Sequence, residues 1–127
     1  MQLKQALLSH LQETEVQVTR DQELLARAGD ETDMIKCKVL AALVDEAENL
    51  IQDVGGEAVR DAAIIAAAQR VEHYEIAVYG AMRHFAQVLG EAAAAELLDR
   101  TIKEEGHADH LLTEIAGRIN PHAKKAA

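Results

Sequence analysis

IAAAQRVEHYEIAVYGAMRHFAQVL, residues 65–89, holds no proline and repeats inward-type residues at steps of three and four. Ile65, Ala68, Tyr79, Met82, Ala86 and Leu89 fall on one line, which is the period of a helix face. The helix extends back to about Glu57, behind Gly55-Gly56, and Gly90 stops it. Before it, Ile35, Val39, Ala42, Leu43, Leu50 and Ile51 mark a second helix from about Thr32 to Asp53. Earlier still, Leu3, Leu7, Leu11, Val18 and Leu25 predict a helix over about 2–28, closed by Gly29. After Gly90, Ala92 to Ile119 reads as a fourth, ended by Asn120-Pro121 because the residue before a proline leaves the helical region. No strand alternation survives. An all-α bundle of four helices (about 2–28, 32–53, 57–89 and 92–119) follows. Residues 1–120 form one domain, and 121–127 are expected to be a frayed tail.

Composition agrees. Hydrophobic residues make up 49% of the 127, yet aromatics only 2%, so Ala, Leu, Ile and Val supply the apolar share. Asp and Glu total 22 against 13 Lys and Arg, a net charge of −9, which disfavours a nucleic acid partner. The longest small-apolar run, Ala62 to Ala68, is too short to span a membrane. A single cysteine, Cys37, excludes an internal disulfide and a Cys-x-x-Cys site. Its default reading is a small core residue, although Lys36 and Lys38 beside it favour the thiolate. With no apolar run at the N-terminus, the cytoplasm is the expected compartment.

The chemistry lies where carboxylates interrupt apolar stripes. In the third helix the line runs Ile65, Ala68, Glu72, Glu75, Tyr79, Met82. In the fourth it runs Leu98, Ile102, Glu105, Asp109, Leu112, Ala116. Buried carboxylates without partners are costly and repel one another, so they share protons, pair with cations or hold a metal. Arg83 and Arg100 lie off these lines. The first helix adds His10 and Glu13, with Gln17 one turn on, along a polar line that flanks its leucines. Three helices each offering a two-ligand step point to a carboxylate-bridged metal pair. Oxygen-rich donors with an imidazole suit iron first and manganese second.

Other polar residues read differently. Glu104-x-x-His107 matches a ligand motif literally, but His107 and His110 share a face with Lys103 and Glu114, which reads as solvated. His73 reads as a packing residue or a support behind the ligands, and Tyr79 equally as a hydrogen-bond partner of a ligand carboxylate or as a core tyrosine with its hydroxyl satisfied. No Cys-x-x-Cys-His motif for haem exists.

At these same residues the chain resembles the YciE/YciF-type ferritin-like stress proteins of bacteria. Residues 61–80, DAAIIAAAQRVEHYEIAVYG, carry most of the resemblance, and His10 to Glu15, Lys36-Cys37-Lys38 and Glu104-Glu105 through Asp109 add to it. The resemblance implies a ferritin-like fold with a dinuclear iron site on His10, Glu13, Glu72, Glu75, Glu105 and Asp109. It also implies a further leading helix and glutamate ahead of this chain's first helix. Without them an apolar groove stays open, to be covered by a second copy or filled by the second helix. Metal binding with peroxide- or oxygen-dependent iron oxidation, in a homodimer or higher oligomer, is the leading expectation. A non-enzymatic self-association module with a degenerate metal site is the alternative.

Overall fold

The computed structural model describes residues 2–29 and 35–126. Four helices account for nearly all of them: α1 (Gln2–Ala28), α2 (Lys38–Asp53), α3 (Glu57–Val88) and α4 (Ala92–Ala126). Among the described residues there is no strand.

The α3–α4 hairpin is the scaffold. Its link is only residues 89–91, and Gly90 adopts φ +77°, a conformation that side chains with a Cβ rarely take. The Glu91 amide reaches the Ala86 carbonyl and the Gly90 amide the Gln87 carbonyl, which satisfies the exposed end of α3. So tight a turn forces α3 and α4 to run antiparallel along their whole lengths. α1 lies against the hairpin, antiparallel to α4. Its Leu3 meets Leu112 and Ile115, whereas its Arg20 meets Thr101.

The apolar core is small and sits at one end. Leu3, Ile65, Leu112 and Ile115 are buried there, with Ala6, Leu7, Ile64 and Ala68 packed around them. Each large side chain so buried contributes about 1.5–3 kcal/mol. Beyond this cluster comes a polar band in which Gln17, Glu72, Thr101 and Glu105 are all buried, and past it Ala86 and Leu98 are buried near the α3–α4 turn.

Several sequence expectations need correction. The helix expected to stop at Asn120-Pro121 continues to Ala126 with Pro121 inside it. Pro121 is exposed, so the Gly117 carbonyl that loses its amide partner faces water and the break costs little. Lys124 and Lys125 in the last turn oppose the negative end of the helix. In α1 the leucine line is buried only at its start, where Leu3 and Leu7 join the core; Leu11, Val18 and Leu25 are exposed, and from His10 on the flanking polar line is the one that faces inward.

α2 begins later than expected. Its start near Thr32 lies outside the described residues, but residues 35–37 are non-helical and Cys37 is the N-cap. The thiol is exposed, not in the core: its sulfur accepts the Leu40 amide and stands 3.1 Å from the Tyr74 hydroxyl. That hydroxyl, with the Leu40 amide, lowers the thiol pKa. The lysine neighbours had suggested the direction, but the cause is different.

Candidate metal centre

Just above the apolar cluster, α1, α3 and α4 each send one side chain to a common point. His10 Nε2 lies 3.2 Å from Glu72 Oε2 and 3.2 Å from Glu105 Oε2. The three donor atoms all lie within 4.8 Å of one another. Glu105 is fully buried (0% side-chain exposure) and Glu72 nearly so. Neither oxygen facing the imidazole makes a hydrogen bond, and Glu105 Oε1 has no partner either. One ring nitrogen cannot satisfy two carboxylates, so acceptors remain idle in a buried place where idle acceptors are rare.

Electrostatics shows how tightly these groups are confined. Glu105, then Glu72, hold the His10 imidazolium so firmly that its pKa is raised to about 11, against the opposing effect of burial. Burial pushes Glu72 up to about 7, and the neighbouring Glu105 adds to it. Burial also pushes Glu105 up, but its contacts with His10 and Glu72 outweigh that and leave it below the usual carboxylate range. Among the described residues, no lysine or arginine forms an ion pair with either glutamate.

Glu13 does not join the triad. Its Oε2 lies 3.2 Å from His10 Nδ1, on the far side of the ring, where it orients the imidazole. Asp109 faces away as well: its Oδ1 accepts from the Gln69 amide and lies 3.2 Å from His73 Nε2. Glu75, one turn beyond Glu72, lines a groove between α1 and α3. Burial raises its pKa to about 7, with the Glu105 charge as the next cause.

Further along α1, a second polar layer continues the first. Gln17 and Arg20 both donate to Glu104; the Arg20 guanidinium reaches both its oxygens and also donates to Thr101 Oγ1. That pairing keeps the Glu104 carboxyl below its ordinary pKa. It also keeps both Glu104 oxygens occupied away from the triad, and His107 and His110 are exposed as expected. The Tyr79 hydroxyl donates to Asp21 Oδ2 at 2.9 Å, while Asp21 Oδ1 is buried without a partner. Burial, and then the Asp21 charge, raises the Tyr79 hydroxyl far above its usual pKa. Sequence reasoning missed Arg20, Asp21 and Thr101. The signal was there, since Gln17 and Asp21 stand two and three turns beyond His10, on the same face of α1.

The donor set fits a metal ion. One imidazole nitrogen and two buried carboxylates, with no other cation among the described residues to neutralise them, suit a divalent first-row metal of the iron or manganese type. His10, Glu72 and Glu105 would hold it.

Known proteins show the same arrangement of helices. The YciF protein of Escherichia coli K12 is 44% identical over 125 residues, which span 98% of this chain and 74% of the relative. The crystal structure of the E. coli stress protein YciF superposes with a TM-score of 0.86 at 42% identity, covering 94% of this chain and 76% of that one. The YcfI protein from Rhodopseudomonas palustris gives 0.83 at 36% identity, covering 87% and 71%. Residues 1–124 match DUF892, a domain of unknown function. The chain therefore belongs to the DUF892 family, with the YciF stress protein among its relatives.

Proposed function

We propose that this protein binds a redox-active metal on His10, Glu72 and Glu105 and protects the cell under stress by handling oxidants. Iron in a dinuclear centre is the metal of this reading, with manganese as a substitute. The observation that carries it is Glu105, wholly buried, with Oε1 unpartnered and Oε2 meeting only the His10 imidazole that it shares with Glu72. When bound, iron would supply the electrons and open coordination positions that peroxide or dioxygen needs. The protein's own part is positional. Glu13 fixes the ring of His10 through Nδ1, so that Nε2 faces the two glutamates. The apolar cluster of Leu3, Ile65, Leu112 and Ile115 closes one side of the site against water.

Metal content tests the reading. Purified without chelator, the protein should carry iron or manganese by inductively coupled plasma mass spectrometry, and Glu72→Ala/Glu75→Ala should carry none. No metal in the parent, even after anaerobic ferrous loading, would leave the non-enzymatic alternative.

That alternative has its own observation. Phe85, Val88 and Leu89 are 64–75% exposed at the α3–α4 turn, and Leu11, Val18 and Leu25 of α1 are exposed as well. Exposed apolar surface of this extent favours association, so a homodimer belongs to both readings. Size-exclusion chromatography with light scattering should give twice the chain mass of 13.8 kDa, and a monomer at micromolar concentration would refute it. Among the described residues no helix is long and apolar enough to cross a membrane. A cytoplasmic location, where a free exposed thiol is ordinary, completes the proposal.

A further inference from the structure

We infer that the groove between α1 and α3 binds a free alkylamine, its hydrocarbon chain on the apolar walls and its ammonium group at Asp21 and Glu75. The site stands apart from the triad, because none of His10, Glu72 and Glu105 lines it.

The groove follows from how the helices pack. α1 lies on α4 and α2 lies on α3, whereas α1 and α3 face each other across a trough. One part of it holds about 440 Å³ and reaches Cys37 and Leu40 at the start of α2. The other holds about 550 Å³ and reaches Phe85 and Leu89 at the α3–α4 turn. Leu24, Ala28 and Met82 line both, so the two parts are continuous. Volumes of this order are those of small-molecule sites. The walls are mainly aliphatic, and Leu25, Val78 and Met82 are still 37–43% exposed there.

Charge selects the occupant. Asp21 and Glu75 lie in the first part, and among the described residues no lysine or arginine lines it. Arg20, next to Asp21 in sequence, is spent on Glu104 and Thr101. In the second part Arg27 is paired with Glu23. The Tyr79 hydroxyl donates to one Asp21 oxygen, and the other is buried without a partner. These carboxylates repel an anion. A neutral chain covers the walls but leaves the acids dehydrated and unpaired. A hydrated metal ion pairs with the acids but leaves the aliphatic walls wet. A cation that carries its own hydrocarbon meets both demands, and an ammonium group brings three donors to the idle acceptors.

Calorimetric titration in chelator with octylamine, octan-1-ol and octanoate, each below its micellar concentration, tests this. One octylamine should bind per chain, about tenfold or more tighter than octan-1-ol, and octanoate should not bind. Each methylene removed from the amine should weaken it about two- to fourfold. Asp21→Asn, which keeps an acceptor for Tyr79, and Glu75→Gln should each weaken octylamine about fivefold or more, with the helical circular dichroism unchanged. Val78→Arg, at the exposed edge of the wall, sets a guanidinium in the groove and should abolish octylamine binding while the fold is kept. Octan-1-ol or octanoate binding as tightly as octylamine overturns the inference. So does unchanged octylamine affinity in Asp21→Asn or Val78→Arg, or no octylamine on the parent.

Discussion

Replacing Glu105 by leucine is expected to stabilise the metal-free protein and to abolish metal binding in the same step. Around His10 stand Glu13, Glu72 and Glu105, so carboxylates outnumber the cation they share. Glu105 is the one with no exposure and no hydrogen bond to either oxygen. Removing it leaves His10 still paired with Glu72 and Glu13, so no orphaned charge is created. Leucine then fills a position between buried Thr101, Ala108 and Leu112 on α4. Substituting buried ionic groups by apolar ones of similar size commonly gains a few kcal/mol, and about 2 kcal/mol is expected here. For a chain of this size that raises Tm by roughly 8 °C. Thermal unfolding in chelator, paired with metal analysis, checks it. A lower Tm would show that the Glu105 charge serves the fold and not a ligand.

Stability of the metal-free protein should fall as pH rises from about 5 to about 9. Glu72 and Glu75 have folded-state pKa values of about 7, above the ordinary 4.5. The folded chain therefore binds their protons more tightly than the unfolded chain does. Their contribution favours folding below pH 4.5 and is lost as pH rises to about 7. His10, raised from 6.5 to about 11, acts in the same direction at higher pH: its stabilisation is present below 6.5 and drains away up to 11. Glu105 works the other way, but its lowered pKa is already titrated by the start of this window. Allowing for partial solvent screening, the net fall is about 3 kcal/mol between pH 5 and 9. Urea midpoints across that range measure it. Manganese should reverse the slope, since a cation displaces the same protons and binds better as they leave. A rise in the metal-free protein would contradict the burial of these acids.

Much of this was legible in the residues, and what was not has a physical cause. Gly29 and Gly90 marked the ends of α1 and α3 because both adopt positive φ. Glu72 and Glu105 stood out because a charge in an apolar stripe is conspicuous, and the structure buries both. Asp109 was drawn onto the same stripe, but a helix turns ~40° beyond a full circle in four residues. That rotation carries its carboxylate to the edge, where Gln69 takes it. α1 misled for a different reason. Its leucines form the more apolar line, yet α4 offers Thr101, Glu104 and Glu105 opposite it, and a polar face must meet a polar face. An interior made of His10, Gln17 and Arg20 looks in sequence like a helix exterior. Only the partner helix tells them apart.

The thin apolar hold on α1 has a kinetic consequence. α3 and α4 meet across three residues, so their zipper closes early and locally. The bonds of α1 to α4 join positions 81 to 116 residues apart, and closing so long a loop precedes any gain from the contacts. α1 is thus expected to dock last and to leave first. His10 travels with it, so the step that completes folding also assembles the ligand triad. A cation bound there would act as a latch on the bundle, and the metal-loaded protein is expected to open more slowly than the bare chain.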